Sequence, residues 1–334
     1  MPNIVNSIGY DLEKVHAGMI VYLVDLWQEG KRQPLERFLS SLGVRLPKVA
    51  SIEAKREFKR IDLVLVDQES TPLVAFEMKV HNHESKVVEE RTDGRKDYQT
   101  RVYPKRIPEC KQFLFVTLGV GECYRQPHND AVTWVRLDKF HKAVEAVSET
   151  DDVTRAWEKA LREELGFRAA CQYNQHHGDY RNRSRHCNLY FLGFLRDELQ
   201  DRWSKDLKMH PTVYPVNSDT ILNFVKAERG SSYVEINQNG RLNLKVNLEQ
   251  FDDQGRKRSH AKKVLEHHAS LMEDRFEARE ESLSGTLKKS KTVVSFDVAL
   301  KKDGALLTYG KDRNETHERI FDLVTRFHKP SYSV

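Results

Sequence analysis

Two short apolar runs joined by a turn constrain this chain most. Residues 61–67 read IDLVLVD and residues 73–80 read LVAFEMKV, and the DQESTP between them has turn composition. The runs are therefore predicted to pair as an antiparallel hairpin. The first run carries Asp62 and the second carries Glu77 and Lys79, although charged residues are rare in the core of a sheet.

A turn centred between Glu69 and Ser70 would set Asp62 directly opposite Glu77, with Lys79 on the same face of the sheet. Two carboxylates about 5 Å apart repel each other unless a cation lies between them. Mg²⁺ suits such a pair, because it takes one or two carboxylates and completes its shell with water and phosphate oxygens. The residues thus predict metal-assisted phosphodiester hydrolysis, with the lysine orienting or deprotonating the attacking water.

The surrounding pattern places this hairpin in a sheet flanked by helices. Helical periodicity covers residues 11–29 and 34–42, and a further strand is predicted at 51–58. A helix from Asp93 to Tyr103, ended by Pro104, then precedes a buried strand at 111–119, which completes a strand, helix, strand crossover. One more short strand and a helix reach about residue 147.

These features together resemble the PD-(D/E)XK nuclease superfamily over roughly residues 30–145. Asp62 is followed on the next strand by Glu77-Met78-Lys79, and Ile61 stands where the family name has proline. The helix after the hairpin contains Gln99 and Tyr103, four residues apart on one helical face, which is similar to the QxxxY motif of the RecB-like branch.

The resemblance implies a mixed α/β restriction-endonuclease-like core that cleaves DNA. It implies Asp62 and Glu77 as ligands of Mg²⁺, for which Mn²⁺ would substitute, Lys79 as the catalytic lysine, and Gln99 and Tyr103 as residues that position the lysine or the phosphate. Members of the superfamily often add a glutamate from the first helix, and related enzymes serve in restriction, anti-phage defence or repair. Four residues are candidates for that extra ligand by position alone, Glu36 first and Glu13, Glu53 and Glu57 behind it.

The chain divides into a predicted nuclease domain at residues 1–150 and an α+β domain at 151–334 whose role would be target recognition, regulation or dimerisation. The second part is predicted to contain helices near 152–165, 188–203, 259–282 and 314–328, and hairpins at 231–247 and 292–310.

Composition sets the class of protein. The chain has 334 residues, 39% hydrophobic and 31% charged, which indicates a globular protein, and no apolar run is long enough to span a bilayer. We expect a cytoplasmic location, no membrane partner and four free thiols among its unpaired, widely spread cysteines. Its 55 basic and 50 acidic residues permit a nucleic-acid partner, most simply DNA, without requiring one.

Several alternatives stay open. A ribonuclease, or a binding module without catalysis, is compatible with the same scaffold, and the charged helix at 259–282 could form a homodimer interface. The run His81-Asn82-His83-Glu84 has the residue types but not the spacing of an HNH nuclease. Two further features are weaker hypotheses: zinc at Cys171, His176, His177, His186 and Cys187, and phosphate contacts by the basic stretches 181–186, 256–263 and 288–291.

Overall fold

A computed structural model gives the fold of the chain, which separates into two compact units, Met1–Ala169 and Ala170–Val334. In the first unit the structure describes residues 5, 9, 13–80, 84–88, 96–123 and 127–169. In the second it describes residues 170–172, parts of 186–197, and 209–216, 219–226, 232–237, 242–248, 253–271, 276–279, 293–302 and 305–307.

The first unit is α/β, built on a mixed sheet of five strands flanked by helices. Its strands are β1 (Ile52–Phe58), β2 (Ile61–Asp67), β3 (Pro72–Lys79), β6 (Phe113–Thr117) and β7 (Thr133–Arg136), in the spatial order β1-β2-β3-β6-β7. The first three strands are antiparallel neighbours, and β6 and β7 run parallel to β3. Strands β4 (Lys86–Val88) and β5 (Lys96–Tyr98) form a separate ribbon.

Helices cover both faces of this sheet. Helices α1 (Glu13–Gln28), α2 (Gln33–Ser41), α4 (Leu137–Glu145) and the start of α5 (Asp152–Gln172) pack on one face, here called the α1 face, while α3 (Gln99–Arg106) packs on the other, the α3 face. The faces follow strand alternation, which puts side chains two residues apart on one side. The α1 face therefore carries Val74, Phe76 and Met78, and the α3 face carries Val64, Ala75 and Phe115.

The predicted strands of the hairpin and the predicted crossover are confirmed, but the bounds predicted for the intervening helix are wrong. The helix starts at Gln99, with Tyr98 as its N-cap, and it continues through Pro104 to Arg106. Proline has no N–H to donate to the carbonyl of Thr100 one turn earlier. The side-chain Nδ2 of Asn129 donates to that carbonyl instead at 3.1 Å, so the helix loses no buried hydrogen bond at the proline. The predicted cap Asp93 lies outside the described residues.

The division between the two units falls later than the predicted boundary at residue 150. Helix α5 begins at Asp152, and its first three turns bury Trp157, Ala160 and Leu161 in the core of the α1 face. The Trp157 indole also donates to Nδ1 of the buried His16 at 3.2 Å. Because this helix completes the first core, the first unit extends to Ala169.

The elements described in the second unit include β8 (Met209–Val216), β9 (Asp219–Lys226), β10 (Ser232–Asn237), β11 (Leu242–Asn247), α6 (Gln254–Leu271), β12 (Phe276–Arg279), β13 (Val293–Lys302) and β14 (Ala305–Leu307). The two predicted hairpins, formed by β10 with β11 and by β13 with β14, are confirmed. The helix predicted at 259–282 is wrong beyond residue 271. The observed helix ends at Leu271, and a strand follows it. The strands form one antiparallel sheet in the order β12-β13-β11-β10-β9-β8, with β14 beside β13.

Strands β8 and β9 were not predicted, and the predicted helix at 314–328 lies outside the described residues. All four cysteines are free thiols, as predicted. Within the described part of the chain, no helix combines the length and the apolar character that crossing a membrane requires.

Candidate functional site

The hairpin register brings the two predicted acids to one face of the sheet. Leu63 pairs with Phe76 and Val64 with Ala75, and continuing that register by one residue sets Asp62 opposite Glu77. The predicted turn centre is therefore right for the pairs from Leu63 to Leu65. Closer to the turn, a bulge between Leu65 and Val66 shifts the register by one residue. Asp62, Glu77 and Lys79 all belong to the α3 face by alternation.

Glu77 and Lys79 form a buried ion pair. Lys79 Nζ donates to Glu77 Oε1 at 2.7 Å and to the carbonyl of Met78 at 2.8 Å, and the two residues are only 1% and 6% exposed. Burial raises the pKa of Glu77 to about 8, a shift that Lys79 reduces and Asp62 increases. Burial alone would lower the pKa of Lys79, but the carboxylates around it, Glu77 first, raise its pKa above the ordinary value. The lysine is thus held as a cation.

Asp62 is half-buried and faces the pair from β2. Its Oδ2 accepts a hydrogen bond from the backbone N–H of Met78 at 2.7 Å. Among the described residues no hydrogen bond reaches its Oδ1, and Glu77 Oε2 is buried without a partner. Each acid is therefore fixed through one oxygen while the other oxygen remains able to bind a ligand.

Helix α3 fixes the orientation of Glu77. Gln99 Nε2 donates to Glu77 Oε1 at 2.7 Å and to the Tyr103 hydroxyl at 3.1 Å, and Gln99 Oε1 accepts from the backbone of Ser85. The amide of Gln99 is therefore held at both ends. Burial, chiefly, raises the pKa of Tyr103, so its hydroxyl keeps its proton at neutral pH. Gln99 contacts the acid directly, whereas no hydrogen bond links it to Lys79.

The acid that approaches from the first helices is Glu13 and not Glu36. Glu13, at the start of α1, has Oε2 3.7 Å from Lys79 Nζ and is among the groups that raise the pKa of Glu77. Glu36 is exposed in the first turn of α2, and no contact found among the described residues joins it to the pair. The preference for Glu36 over Glu13 is thus corrected, because the N-terminus of α1, and not α2, reaches the end of β3.

The remaining two glutamates proposed by position lie elsewhere. Glu53 pairs with Val66 near the turn end of the hairpin and is exposed. Glu57 is an exposed residue in an ion pair with Lys14. Neither one contacts Asp62 or Glu77 through any hydrogen bond or ion pair found in the described residues.

A second buried carboxylate, Glu84, belongs to the run His81-Asn82-His83-Glu84 that was predicted to lie in a polar loop beside the site, but its contacts were not predicted. Its Oε1 accepts from both the backbone N–H and the hydroxyl of Thr100 at 2.6 Å, and its Oε2 lies 2.7 Å from His128 Nδ1. The His128 ring stacks on Tyr98 with centroids 3.4 Å apart. Glu84 therefore holds the start of α3, next to Gln99. Its partners lie 16 and 44 residues away, so no local sequence signal could have identified them.

The other two hypotheses for sites find no support in the described residues. Glu84 is used in this network, and the rest of the run from His81 to His83 lies outside the described residues, as do His176 and His177. Where the structure describes side chains, it brings no three residues of the types His, Cys, Asp or Glu together in a group that could hold a metal ion. Asp62 and Glu77 are thus a set of two carboxylates.

Two carboxylates fit Mg²⁺ better than they fit zinc. Zinc sites in proteins use three or four nitrogen, sulfur or carboxylate ligands, whereas Mg²⁺ binds through one or two carboxylates and retains water. The unpartnered Oε2 of Glu77 is the observation that favours a ligand here, because a buried polar atom without a hydrogen bond costs free energy. The donor set is thus suited to Mg²⁺ or Mn²⁺.

Comparison with known proteins adds no assignment: no protein-family model, no curated protein and no solved structure matches the chain.

Proposed function

We propose that the first unit is a metal-dependent nuclease that hydrolyses phosphodiester bonds in DNA. One observation carries the proposal: the hairpin register sets Asp62 opposite Glu77, and Lys79 lies on the same face with its Nζ 2.7 Å from Glu77. Two acids and a cation close together on one face of a sheet are the groups that phosphoryl transfer uses to activate water and to stabilise developing negative charge.

Asp62 and Glu77 would hold the metal ion, since each has one carboxylate oxygen without a hydrogen-bond partner among the described residues. A bound Mg²⁺ would supply Lewis-acid stabilisation of the phosphate and acidify a coordinated water. The requirement for a cation explains why two like charges face each other at one position of the sheet. Burial first, and Asp62 to a lesser extent, raise the pKa of Glu77 to about 8, and a bound cation would oppose both effects.

Lys79 acts as a charged donor and not as a base. Its pKa is raised above the ordinary value, so it stays protonated at neutral pH and directs N–H groups at the acid and at nearby phosphate oxygen. Gln99 is a positioning residue, since it binds Glu77 Oε1 and so leaves Oε2 for the metal. Tyr103 supports the Gln99 amide through its hydroxyl.

The resemblance to the PD-(D/E)XK superfamily supports the same proposal. The strand order β1-β2-β3-β6-β7, with α3 in the crossover between β3 and β6, is compatible with such a core. The pattern Asp62, Glu77-Met78-Lys79 lies on the two central antiparallel strands, and Gln99 with Tyr103 lies on the crossover helix. A role in restriction, defence or repair belongs to this proposal through the resemblance alone.

Cleavage assays with matched variants test the proposal. Plasmid, linear and single-stranded DNA, and RNA of the same sequence, would be incubated with Mg²⁺ or Mn²⁺ and the wild type, Asp62→Asn, Glu77→Gln or Lys79→Met. We expect each variant to lose at least about a hundredfold in rate, the scale of removing a group that stabilises transition-state charge. Glu53→Gln removes an exposed carboxylate of the same sheet and should keep full activity.

Full activity of Glu77→Gln or Lys79→Met would refute the assignment of the site. The comparison of DNA with RNA decides between the proposed deoxyribonuclease and a ribonuclease. Retained cleavage in all variants would assign the activity to another part of the chain or to a contaminant.

A binding module without catalysis is the second candidate, and the burial of Glu77 and Lys79 in an ion pair favours it. In that case the pair would only stabilise the sheet, and half-buried Asp62 would remain accessible beside it. Calorimetric titration of Mg²⁺ or Mn²⁺ separates the two candidates. The nuclease should bind the ion in a manner that Asp62→Asn abolishes, and the binding module should give no signal that depends on Asp62.

A further inference from the structure

A second cationic side chain lies in line with Lys79 across the sheet. In the parallel part of the sheet Lys79 pairs with Thr117, and Thr117 pairs with Arg136. Paired residues share a face, so the side chains of all three start from the α3 face at the carboxyl ends of β3, β6 and β7. The carboxyl ends of parallel strands are where ligands bind to open α/β sheets.

The paired residues two positions earlier on the same three strands include Trp134, which holds Arg136 in a fixed orientation. Glu77 pairs with Phe115, and Phe115 with Trp134. The guanidinium of Arg136 lies over the Trp134 ring at 5.3 Å, and the indole N–H of Trp134 donates to the Thr117 hydroxyl at 2.9 Å. The ring is therefore anchored by a hydrogen bond, and it holds the arginine by a cation–π contact.

The charge of Arg136 is not neutralised by its acidic neighbour. Glu122 is 2% exposed and binds Arg168 tightly, with Nη1 to Oε1 at 2.6 Å, whereas Arg136 Nε lies 3.7 Å from Glu122 Oε2. One carboxylate thus faces two guanidinium groups, and its shorter contact is with Arg168. The Arg136 side chain is 40% exposed against 17% for Arg168, so the accessible charge is that of Arg136.

We infer that Arg136 binds a second phosphate of the nucleic-acid strand whose scissile phosphate lies at Asp62, Glu77 and Lys79. The inference rests on the proposed nuclease function and assigns it a substrate contact. Strands in a sheet lie about 4.8 Å apart, so Arg136 is about 10 Å from Lys79 across β6. A strand of B-form DNA carries one phosphate for about every 3.4 Å of rise. Because the strand winds around its axis, neighbouring phosphates lie farther apart than this rise, so the second contact falls one or two phosphates from the cleaved bond.

This contact fixes the strand and carries no sequence information, since a phosphate is common to all nucleotides. The guanidinium is suited to the task, because its planar fork binds two phosphate oxygens at once. The enzyme would therefore prefer substrates that extend past the cleaved bond by at least that distance on one side.

Binding of a labelled single-stranded oligonucleotide, followed by fluorescence anisotropy in EDTA over a range of salt concentrations, tests the contact without cleavage. Arg136→Gln should weaken binding about tenfold and reduce the salt dependence by about 0.7 in log–log slope, the value for one lost phosphate contact on a single strand. Arg136→Lys, which keeps the charge and loses the fork, should keep the slope and lose part of the affinity. Arg155→Gln removes an exposed arginine of α5 and should change neither quantity.

A second measurement locates the phosphate. In cleavage with Mg²⁺, a neutral methylphosphonate placed one or two linkages from the cut should slow the wild type about tenfold, and should slow Arg136→Gln no further. Thermal melting checks that Arg136→Gln is folded, which is expected because Glu122 keeps Arg168 and the backbone N–H of Leu137 as partners.

The outcomes separate this inference from the proposed function. Unchanged affinity and salt slope in folded Arg136→Gln would overturn the inference even if Glu77→Gln abolishes cleavage. If Arg136→Gln binds more weakly than the wild type but the wild type cuts no nucleic acid, the phosphate contact is supported and the nuclease function is refuted. A wild type that neither binds nor cuts would refute both.

Discussion

Replacing Glu77 by glutamine should remove most of the pH dependence of the stability of the first unit in the absence of metal. Burial raises the pKa of Glu77 from 4.5 to about 8, so between those values the folded protein binds a proton that the unfolded chain has released. Stability gained from that proton is complete below pH 4.5 and is lost as the pH rises towards 8. The free energy of unfolding should therefore fall with rising pH over this range, at a rate that approaches about 1.4 kcal/mol per pH unit, the limit for one proton.

The assay is urea denaturation of the full chain in EDTA at several pH values, followed by tryptophan fluorescence. Three of the four tryptophans, Trp27, Trp134 and Trp157, lie in the first unit, so most of the signal reports on that unit. Glu77→Gln has the same shape and cannot ionise, so its stability should lack this fall. The slope with pH is the quantity to compare, because the new contact between Lys79 and the amide shifts the stability of the variant equally at every pH where the lysine is charged.

Two controls sharpen the result. Glu53→Gln changes the net charge equally but alters an exposed residue, and it should keep the wild-type slope. Mg²⁺ at a hundred times its dissociation constant should add about 2.7 kcal/mol to the wild type and nothing to Glu77→Gln. Parallel curves for the wild type and Glu77→Gln between pH 5 and pH 8 would refute the reasoning, since they would mean that this buried carboxylate ionises as easily as in the unfolded chain.

Two further predictions concern helix ends. Asp151→Ala should cost about 1 kcal/mol at pH 7, because Asp151 Oδ1 caps α5 by accepting the N–H of Thr154. Burial raises the pKa of Asp151, but its hydrogen bonds, beginning with that of Thr154, lower the pKa overall. The stability that the ionised cap contributes is therefore present above pH 3.8 and is lost as the pH falls through the folded-state pKa. Asp151→Asn should show no such loss in acid denaturation. Asn129→Ala should cost about 1–3 kcal/mol by leaving the carbonyl of Thr100 unpaired. Pro104→Ala restores an N–H there, so urea denaturation of the double variant should show less destabilisation than Asn129→Ala alone, and equal losses would contradict this account of the proline.

The sequence alone determined the hairpin, the register of the pairs beside Asp62 and Glu77, and the faces of their side chains. These follow from local rules: a side chain reverses face at each residue of a strand, and turn residues fix which positions oppose each other. Asp62, Glu77 and Lys79 could therefore be predicted together, as could Gln99 four residues before Tyr103. The strand, helix, strand crossover followed equally from apolar runs separated by a helical segment.

Tertiary structure decided which distant groups meet this face. Glu13 reaches Lys79 because of where α1 begins, Glu84 holds Thr100 from a different segment, and Arg136 enters the row of Lys79 only through the pairing of β6 with β3 and with β7. The end of α3 beyond Pro104 likewise depends on Asn129. Such contacts join residues far apart in the chain, and no periodicity within one segment encodes them. Packing of whole elements, which buries apolar area regardless of sequence distance, sets them instead.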